Sequence, residues 1–335
     1  MIHKKNFTMK KPTFATRLAI AVICAAALTN SVGAIDSTGY VTLNGDDANN
    51  TSSFNSAGKW SSGKAPEPGR KYLVQGKNRI MRSPASKYST PFAGDSLSLA
   101  DNALFYLKSS SGSTLSANWI LYDGILRHNS SSGNGNPWIQ TIAGTVDVRG
   151  TETAPAKIQV MEKYSATISV TARLAGEAEA VLLPRLHSSD AGSKSIIEFS
   201  GDNSGYKGRF LFKSTSSNKA DGRLRFKGAT SAGVTGDPSP GVPFLTISGE
   251  STAKAIVELV GVHMDSRFTI ECAHSDAQIE LTGDDTLFGA TLAGSSAGIP
   301  VKVSGDAMLR SASPLALDFT GGGRILARRN QDGTI

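Results

Sequence analysis

The sequence contains only two cysteines in 335 residues. Cys24 lies in an apolar run near the N-terminus, and Cys272 is alone in the rest of the chain. A lone cysteine cannot form an intramolecular disulfide, and it excludes metal sites that need paired cysteines. Because Cys272 alternates with Phe268 and Ile270, the pattern predicts a small buried residue in a strand rather than a reactive thiol. The fold is therefore expected to depend on backbone hydrogen bonds and core burial.

The sequence also lacks an apolar run of the roughly 20 residues that a membrane-spanning helix needs. The run from Leu18 to Leu28 is shorter, follows a basic segment without acids, and precedes small residues at Val32-Gly33-Ala34. These three features predict a secretory signal peptide over residues 1–34, cleaved after Ala34. We expect the mature chain at the outer membrane surface or outside the cell, and not as a transmembrane protein.

Excess charge is small once this segment is removed. The full chain has 35 basic and 28 acidic residues, a net charge of +7. Five of the basic residues and none of the acidic ones lie in residues 1–34, which leaves 30 against 28, or +2. A nucleic-acid-binding protein usually carries a clustered basic face. The composition therefore predicts that nucleic acid is not a partner.

Recognisable catalytic and metal-binding groupings are scarce. Neither a Walker loop nor a dinucleotide loop is present, and no two histidines have metal-ligand spacing. The mature chain has His128, His187, His263 and His274, of which the last two are the only candidates for a metal pair. We therefore predict no catalytic, cofactor-binding or metal-binding residues and no cofactor, and we expect the protein not to be an enzyme.

Two pairs of adjacent acids were considered as carboxylate sites. Asp46-Asp47 and Asp284-Asp285 both follow a glycine. Adjacent residues on a strand point to opposite faces, so neither pair forms a ready acid–base dyad, although in a turn the oxygens could hold calcium. The favoured interpretation is turn formation, because aspartate hydrogen-bonds its own backbone there, and it extends to Asp202 and Asn203.

A short strand that ends in glycine recurs in the second half of the chain. Each unit reads apolar, polar, apolar, mostly polar, glycine, a period of two that is typical of a strand with one buried face. Such repetition indicates a solenoid, in which each unit buries its apolar face against the next. The seven units are Ile197–Gly201, Leu224–Gly228, Leu245–Gly249, Val257–Gly261, Ile279–Gly283, Val301–Gly305 and Leu317–Gly321.

The predicted fold is all-β, a parallel β-helix, with an antiparallel β-sandwich as the alternative. Residues 35–155 are predicted to form irregular first rungs or a cap that is richer in aromatic residues, and residues 156–335 regular solenoid rungs. The central apolar residues of the units should stack inward. They are Phe199, Phe226, Ile247, Leu259, Leu281, Val303 and Phe319.

Residues 199–212, Phe-Ser-Gly-Asp-Asn-Ser-Gly-Tyr-Lys-Gly-Arg-Phe-Leu-Phe, resemble the autotransporter-associated β-strand repeat. The pattern from Trp60 to Gly69, followed by Tyr72-Leu73-Val74 and residues 92–99, is similar to the opening of exported repeat proteins of Verrucomicrobia and Lentisphaerae. The resemblance implies a right-handed, single-stranded β-helix carried outside the cytoplasm. The chain departs from the family pattern in having neither a C-terminal translocation barrel nor an apolar sorting tail.

Aromatic residues are concentrated in the first half, and they separate the functional hypotheses. An exposed aromatic row could stack on sugar rings, whereas the favoured interpretation places these rings in the core. We predict a non-enzymatic surface or secreted solenoid with a structural or adhesive role, whose expected partner is a cell-surface or extracellular polysaccharide. The alternatives are a carbohydrate-binding module and a polysaccharide lyase or hydrolase. The rings considered for such a row are Trp60, Trp119, Trp138, Tyr72, Tyr88 and Tyr122.

Overall fold

The computed structural model describes most of the chain after residue 34. The described residues are 35–46, 53–77, 79–85, 89–128, 138–162, 165–188, 194–215, 221–233, 242–249, 254–265, 267–274, 277–283, 286–293, 300–309, 316–318, 322 and 324–325. The predicted signal peptide, Asp47, Tyr88 and Asp284-Asp285 therefore lie outside the described residues. No helix in the described ranges is long and apolar enough to cross a membrane.

The described residues form strands and a single short 3₁₀ helix, Ala57–Lys59. In chain order the strands are β1 (Tyr40–Thr42), β2 (Lys71–Gln75), β3 (Ile80–Arg82), β4 (Thr90–Pro91), β5 (Ser96–Ala100), β6 (Leu104–Leu107), β7 (Ser113–Leu121), β8 (Ile125–His128), β9 (Trp138–Val148), β10 (Ala156–Glu162), β11 (Ala166–Val170), β12 (Arg173–Gly176), β13 (Val181–Ser188), β14 (Lys194–Phe199), β15 (Gly205–Tyr206), β16 (Arg209–Ser214), β17 (Asp221–Lys227), β18 (Leu245–Gly249), β19 (Lys254–Val260), β20 (His263–Met264), β21 (Thr269–Cys272), β22 (Ala277–Leu281), β23 (Thr286–Phe288), β24 (Thr291–Ala293), β25 (Pro300–Val303), β26 (Asp306–Leu309), β27 (Ala316–Asp318) and β28 (Arg324–Ile325).

The chain alternates between sheets 1 and 2 from one coil to the next, and from β20 onward its coils also contribute strands to a third sheet, so that three parallel sheets arise. Sheet 1 has the order β1-β2-β5-β7-β9-β11-β14-β17-β19-β22-β25-β27, with β4, β12 and β15 at its side. Sheet 2 runs β3-β6-β8-β10-β13-β16-β18-β21-β24, and sheet 3 runs β20-β23-β26-β28. Parallel neighbours separated by a full coil define a parallel β-helix, which confirms the predicted fold and rules out the antiparallel sandwich. The right-handed winding stays a prediction.

The length of the coils varies. Register on sheet 1 places Ile197, Leu224, Val257 and Ile279 opposite one another on successive strands, so the coil after Leu224 is longer than the coils before and after it. Five of the seven strand–glycine units lie on sheet 1, as do Leu317 and Asp318 of the last unit, but Leu245–Gly249 is β18 of sheet 2. The uneven spacing of the closing glycines therefore has a structural cause, since one unit belongs to a second wall of the same coil.

The predicted inward stack is largely present. Phe199, Phe226, Leu259 and Leu281 occupy one column of sheet 1 and are fully buried, and the column continues to Val303. Ile247 is also fully buried, but it lies on sheet 2 between Phe212 and Cys272. Its placement in the sheet 1 stack was wrong because both walls have the same apolar–polar period. Phe319 lies outside the described residues.

An aromatic cluster fills the N-terminal end of the solenoid. Trp60 meets Tyr72 edge-on with ring centroids 4.8 Å apart, and Phe92 contacts both rings and Phe54. The Phe54 amide donates to the carbonyl of Arg82 on the first strand of sheet 2. The segment around Phe54 and Trp60 therefore covers this end, and the buried apolar core extends from Val41 to Ala307.

Candidate functional site

The residues of the repeat-like motif serve to stack coils. Asn203 is fully buried; its side-chain oxygen accepts from the Leu174 amide, and its amide group donates to the carbonyl of Ser231. It therefore joins the preceding coil to the following one. Tyr206 is also fully buried, and its hydroxyl donates to the carbonyl of Arg209 over 2.7 Å. A side chain at Gly201 would overlap the carbonyl of Ala172, which explains the glycine.

The candidate aspartates have different roles, since Asp202 makes a local turn contact and Asp46 links two coils. Asp202 accepts from the Ser204 amide over 3.1 Å, and these hydrogen bonds lower the pKa of its carboxyl group. Asp46 accepts from the Ile80 amide at 3.3 Å and lies 3.6 Å from the guanidinium of Arg79. The local contact of Asp202 agrees with the turn interpretation, whereas Asp46 accepts from a residue 34 positions away and does not. Within the described ranges no three His, Cys, Asp or Glu side chains are grouped as a metal site requires.

The histidines and Cys272 are distributed over different walls. His263 begins β20 of sheet 3, whereas His274 follows β21 of sheet 2, beside Gly249. The Nδ1 atom of His187 lies 2.8 Å from the carbonyl oxygen of Thr215. Cys272 is the last residue of β21 and is buried, as its alternation with Phe268 and Ile270 predicts.

The structure places most of the aromatic residues inside the solenoid. Trp60, Tyr72 and Trp119 are buried, and the Trp60 indole donates to the Phe54 carbonyl. Trp138 is half-buried and packs against the core. The hypothesis that these rings form an exposed row for sugar stacking is therefore wrong. Tyr122 is different, because it is half-buried beside a polar cleft.

That cleft lies at a corner, where β9 and β12 end. Its volume is about 480 Å³, and its lining includes Asp147, Arg149, Glu177 and Glu179. Arg149 is held over the ring of Tyr122, with its guanidinium carbon 5.5 Å from the ring centroid. Arg149 also donates to the Tyr122 hydroxyl over 3.0 Å and to the carboxylate of Asp147 over 2.8 Å. The cleft thus combines carboxylates with a cation that is held from outside the lining by the Tyr122 ring, a combination able to bind the hydroxyls of a sugar.

The outer face of sheet 1 carries a charged column in which cations and anions are paired. Register aligns Glu198, Arg225, Glu258 and Glu280 on successive strands. Arg225 donates to Glu198 over 3.1 Å and to Glu258 over 2.9 Å. Burial alone would lower the pKa of Arg225, but these hydrogen bonds and the charge attraction of the two glutamates together outweigh burial and raise the pKa.

Arg223 lies two residues before Arg225 on β17, on the same face of the sheet, and contacts two glutamates of this column. Its Nη1 atom lies 2.6 Å from Glu280 and 3.5 Å from Glu258, although Glu280 is two strands away on the sheet. The two glutamates occupy directly paired positions on β19 and β22, where like charges repel each other. Arg223 therefore compensates two neighbouring carboxylates that are almost fully buried, at 8% and 7% exposure.

The outer face of sheet 2 carries a second column, whose residues alternate with core positions, although two of them, Arg82 and Gln159, are themselves buried at 2% exposure. Within it Arg127 has a neutral neighbour, and it donates through Nε and Nη2 to the Gln159 side-chain oxygen over 3.0 and 2.8 Å. The column is Arg82, Tyr106, Arg127, Gln159, Arg185 and Lys213. We call this set the basic column. Sequence analysis missed it, because its members lie on successive coils, far apart in the sequence, and belong to no local motif.

One local catalytic pattern was also missed. Ser296 stands between Gly294 and Gly298 in a Gly-x-Ser-x-Gly arrangement. In hydrolases this pattern requires a sharp turn from a strand into a helix. Here it falls between β24 and β25, both of which are strands of parallel sheets, and Ser296 itself lies outside the described residues. It carries no assignment.

Comparisons of the chain with protein-family models, with curated proteins and with solved structures found no match.

Proposed function

We propose that the mature chain is an exported, non-enzymatic β-solenoid with a structural or adhesive role at the cell surface or outside the cell. The observation that carries this proposal is the use made of the repeat-like motif. Gly201, Asn203 and Tyr206 are committed to coil packing. Repetition of this kind lengthens a scaffold and extends its side walls.

The outward side chains support the same role. Sheet 1 contains twelve strands in its continuous path, so its wall extends about 50 Å at the spacing of hydrogen-bonded strands. Residues at equivalent positions form columns along this wall and along sheet 2. Such columns provide a long surface of repeating chemistry, which suits contact with a polymer, and the export signal predicted over residues 1–34 would bring it to extracellular polysaccharide.

Fractionation of the native host tests the location. We expect the protein in the outer membrane or culture medium, with Ile35 as the first residue by mass spectrometry. Intact protein in the cytoplasm that retains residues 1–34 would contradict the proposal.

A polysaccharide array tests the absence of catalysis. The mature chain should bind at least one glycan without producing new reducing or unsaturated ends. Appearance of either product, repeated with independently purified protein, would replace the structural role by a lyase or hydrolase.

A carbohydrate-binding module is the second candidate, and the corner cleft favours it. Tyr122 holds Arg149, which lines the cleft, and the volume of the cleft falls within the roughly 300–1,000 Å³ of small-molecule sites. Tyr122→Ala should weaken glycan binding if the cleft binds a short saccharide. Trp119→Phe, which alters a buried ring, is the matched control and should retain binding. Equal binding by the wild type and Tyr122→Ala would eliminate the cleft as the site.

A further inference from the structure

The basic column on sheet 2 has a regular geometry. Its central members Arg127, Gln159 and Arg185 lie directly opposite one another on β8, β10 and β13. Each alternates along its strand with inward residues, such as the buried Leu126 and Ile158. Because paired strands are about 4.8 Å apart, the two arginines are carried about 10 Å apart along the solenoid axis.

The two central arginines lack the compensation seen on sheet 1. Arg127 is hydrogen-bonded to Gln159, which is neutral. Arg185 is half-buried between Gln159 and Lys213, and its Nε atom is buried without a hydrogen-bond partner. Across the described part of the chain, no carboxylate forms an ion pair with Arg127 or Arg185. Partly desolvated guanidinium groups of this kind are stabilised by an anion with two oxygens.

An apolar column runs beside the basic one. It lies two residues earlier on each strand, and Leu104, Ile125, Leu183 and Leu211 belong to it, with Lys157 between Ile125 and Leu183. At Tyr106, the aromatic member of the basic column, the Lys108 ammonium lies 5.6 Å from the ring centroid. Leu104 and Ile125 are nearly buried, at 8% and 7% exposure, whereas Leu183 and Leu211 are half-buried. The wall therefore presents its apolar surface mainly at Leu183 and Leu211, beside Arg185 and Lys213.

We propose that the outer wall of sheet 2 binds a linear acidic polysaccharide, a polymer whose sugars carry carboxylate or sulfate groups. The polymer lies across the strands along the axis, with its anionic groups on Arg127 and Arg185 and its apolar ring faces on the adjoining column. This assignment rests on the proposed function and adds the class of polymer to it.

The wall fits a polysaccharide better than a nucleic acid. Single-stranded nucleic acids are bound by a series of aromatic platforms on which successive bases stack. Tyr106 is the only aromatic member of the basic column, and the apolar column beside it is aliphatic. Sugar rings need no stacking platform and accept contact with aliphatic side chains on their C–H faces.

The experiment compares polymers that differ in charge and in backbone. Dextran sulfate and dextran share a backbone, polygalacturonate supplies carboxylates, and an oligothymidylate represents nucleic acid. The test variant of the mature chain is Arg127→Gln with Arg185→Gln. The control variant is Arg70→Gln with Arg267→Gln, which removes the same two charges from surface ion pairs elsewhere. Urea midpoints of all proteins are measured first, so that loss of binding is not loss of folding.

We expect dextran sulfate or polygalacturonate to bind and dextran not to bind. The test variant should lose about tenfold or more in affinity, equivalent to at least about 1.4 kcal/mol, while the control variant stays within about threefold of wild type. Binding should also weaken with added salt less steeply in the test variant, because fewer counterions are released.

Three results would overturn the assignment. Equal loss in the two variants would show a response to net charge rather than to this wall. Preferential binding of the oligothymidylate, lost in the test variant, would identify a nucleic-acid surface. Failure of both acidic polymers to bind would remove the ligand class. None of these results concerns export or turnover, so the proposed function is tested separately by host fractionation and by the products on the array.

Discussion

The outer walls of sheets 1 and 2 both carry columns of charged residues, but the charges are compensated differently on the two walls. In both, parallel register places equivalent residues on successive coils about 4.8 Å apart. On sheet 1 the glutamates at 258 and 280 are bridged by Arg223, and Arg225 bridges Glu198 and Glu258. On sheet 2 the arginines at 127 and 185 are separated by the neutral Gln159. The charges on the first wall are paired with each other within the chain. The two arginines on the second wall have no carboxylate partner among the described residues and are available to an external anion.

Removal of Arg223 should produce the largest effect on stability. Arg223→Ala leaves Glu258 and Glu280 adjacent and nearly buried without their shared cation. Loss of one partner from a buried ion pair costs about 3–5 kcal/mol, and the 18% exposure of the arginine side chain favours a value of about 3 kcal/mol. The measurement is urea unfolding followed by circular dichroism.

Arg127→Ala on sheet 2 is the matched control for that change. Its hydrogen-bonded partner is an uncharged amide, so we expect a loss of about 1 kcal/mol or less. Similar losses of unfolding free energy in Arg223→Ala and Arg127→Ala would contradict the distinction between a wall whose charges are paired and a wall whose arginines are not.

A double-mutant cycle should give an intermediate value on sheet 1. Arg225→Ala and Glu198→Ala, alone and combined, measure the coupling of a pair whose side chains are 27% and 17% exposed. Because this pair is more solvated than Arg223–Glu280, we expect a coupling free energy of about 1 kcal/mol. The second contact of Arg225, with Glu258, remains in the Glu198 variant. A coupling near zero would mean that Glu258 alone compensates Arg225.

The smallest expected effect has the opposite sign. Arg185→Gln removes a cation that is directly opposite Lys213. Like charges at paired positions destabilise a sheet, so the substitution should raise the free energy of unfolding by about 0.2–1 kcal/mol. Lys207→Gln, which breaks an exposed ion pair with Glu177, should be neutral or slightly destabilising. A clear loss of stability in Arg185→Gln would indicate that its charge is compensated within the chain.

Local pattern was sufficient to predict the strands, the buried glycine-terminated units and the parallel β-helix. It was insufficient to place Leu245–Gly249 on sheet 2, because the same alternation serves either wall. The charged columns could not be predicted from the sequence for a different reason. Arg223 meets Glu280 across 57 positions of sequence, and that meeting depends on the lengths of two coils that differ from each other. A shift of one position in either register would turn the side chain to the other face of the sheet.

The aromatic cluster at the N-terminal end has a consequence for how the chain folds. Its members Phe54, Trp60, Tyr72, Phe92 and Phe105 all come from the first coils of the solenoid and are close in sequence. These contacts require shorter loops to close than contacts between distant coils, so their entropic cost is lower. A chain that leaves a translocation pore N-terminus first would complete this nucleus before its later coils emerge. Each new strand would then add to an edge that already exists, and folding would advance in one direction along the axis.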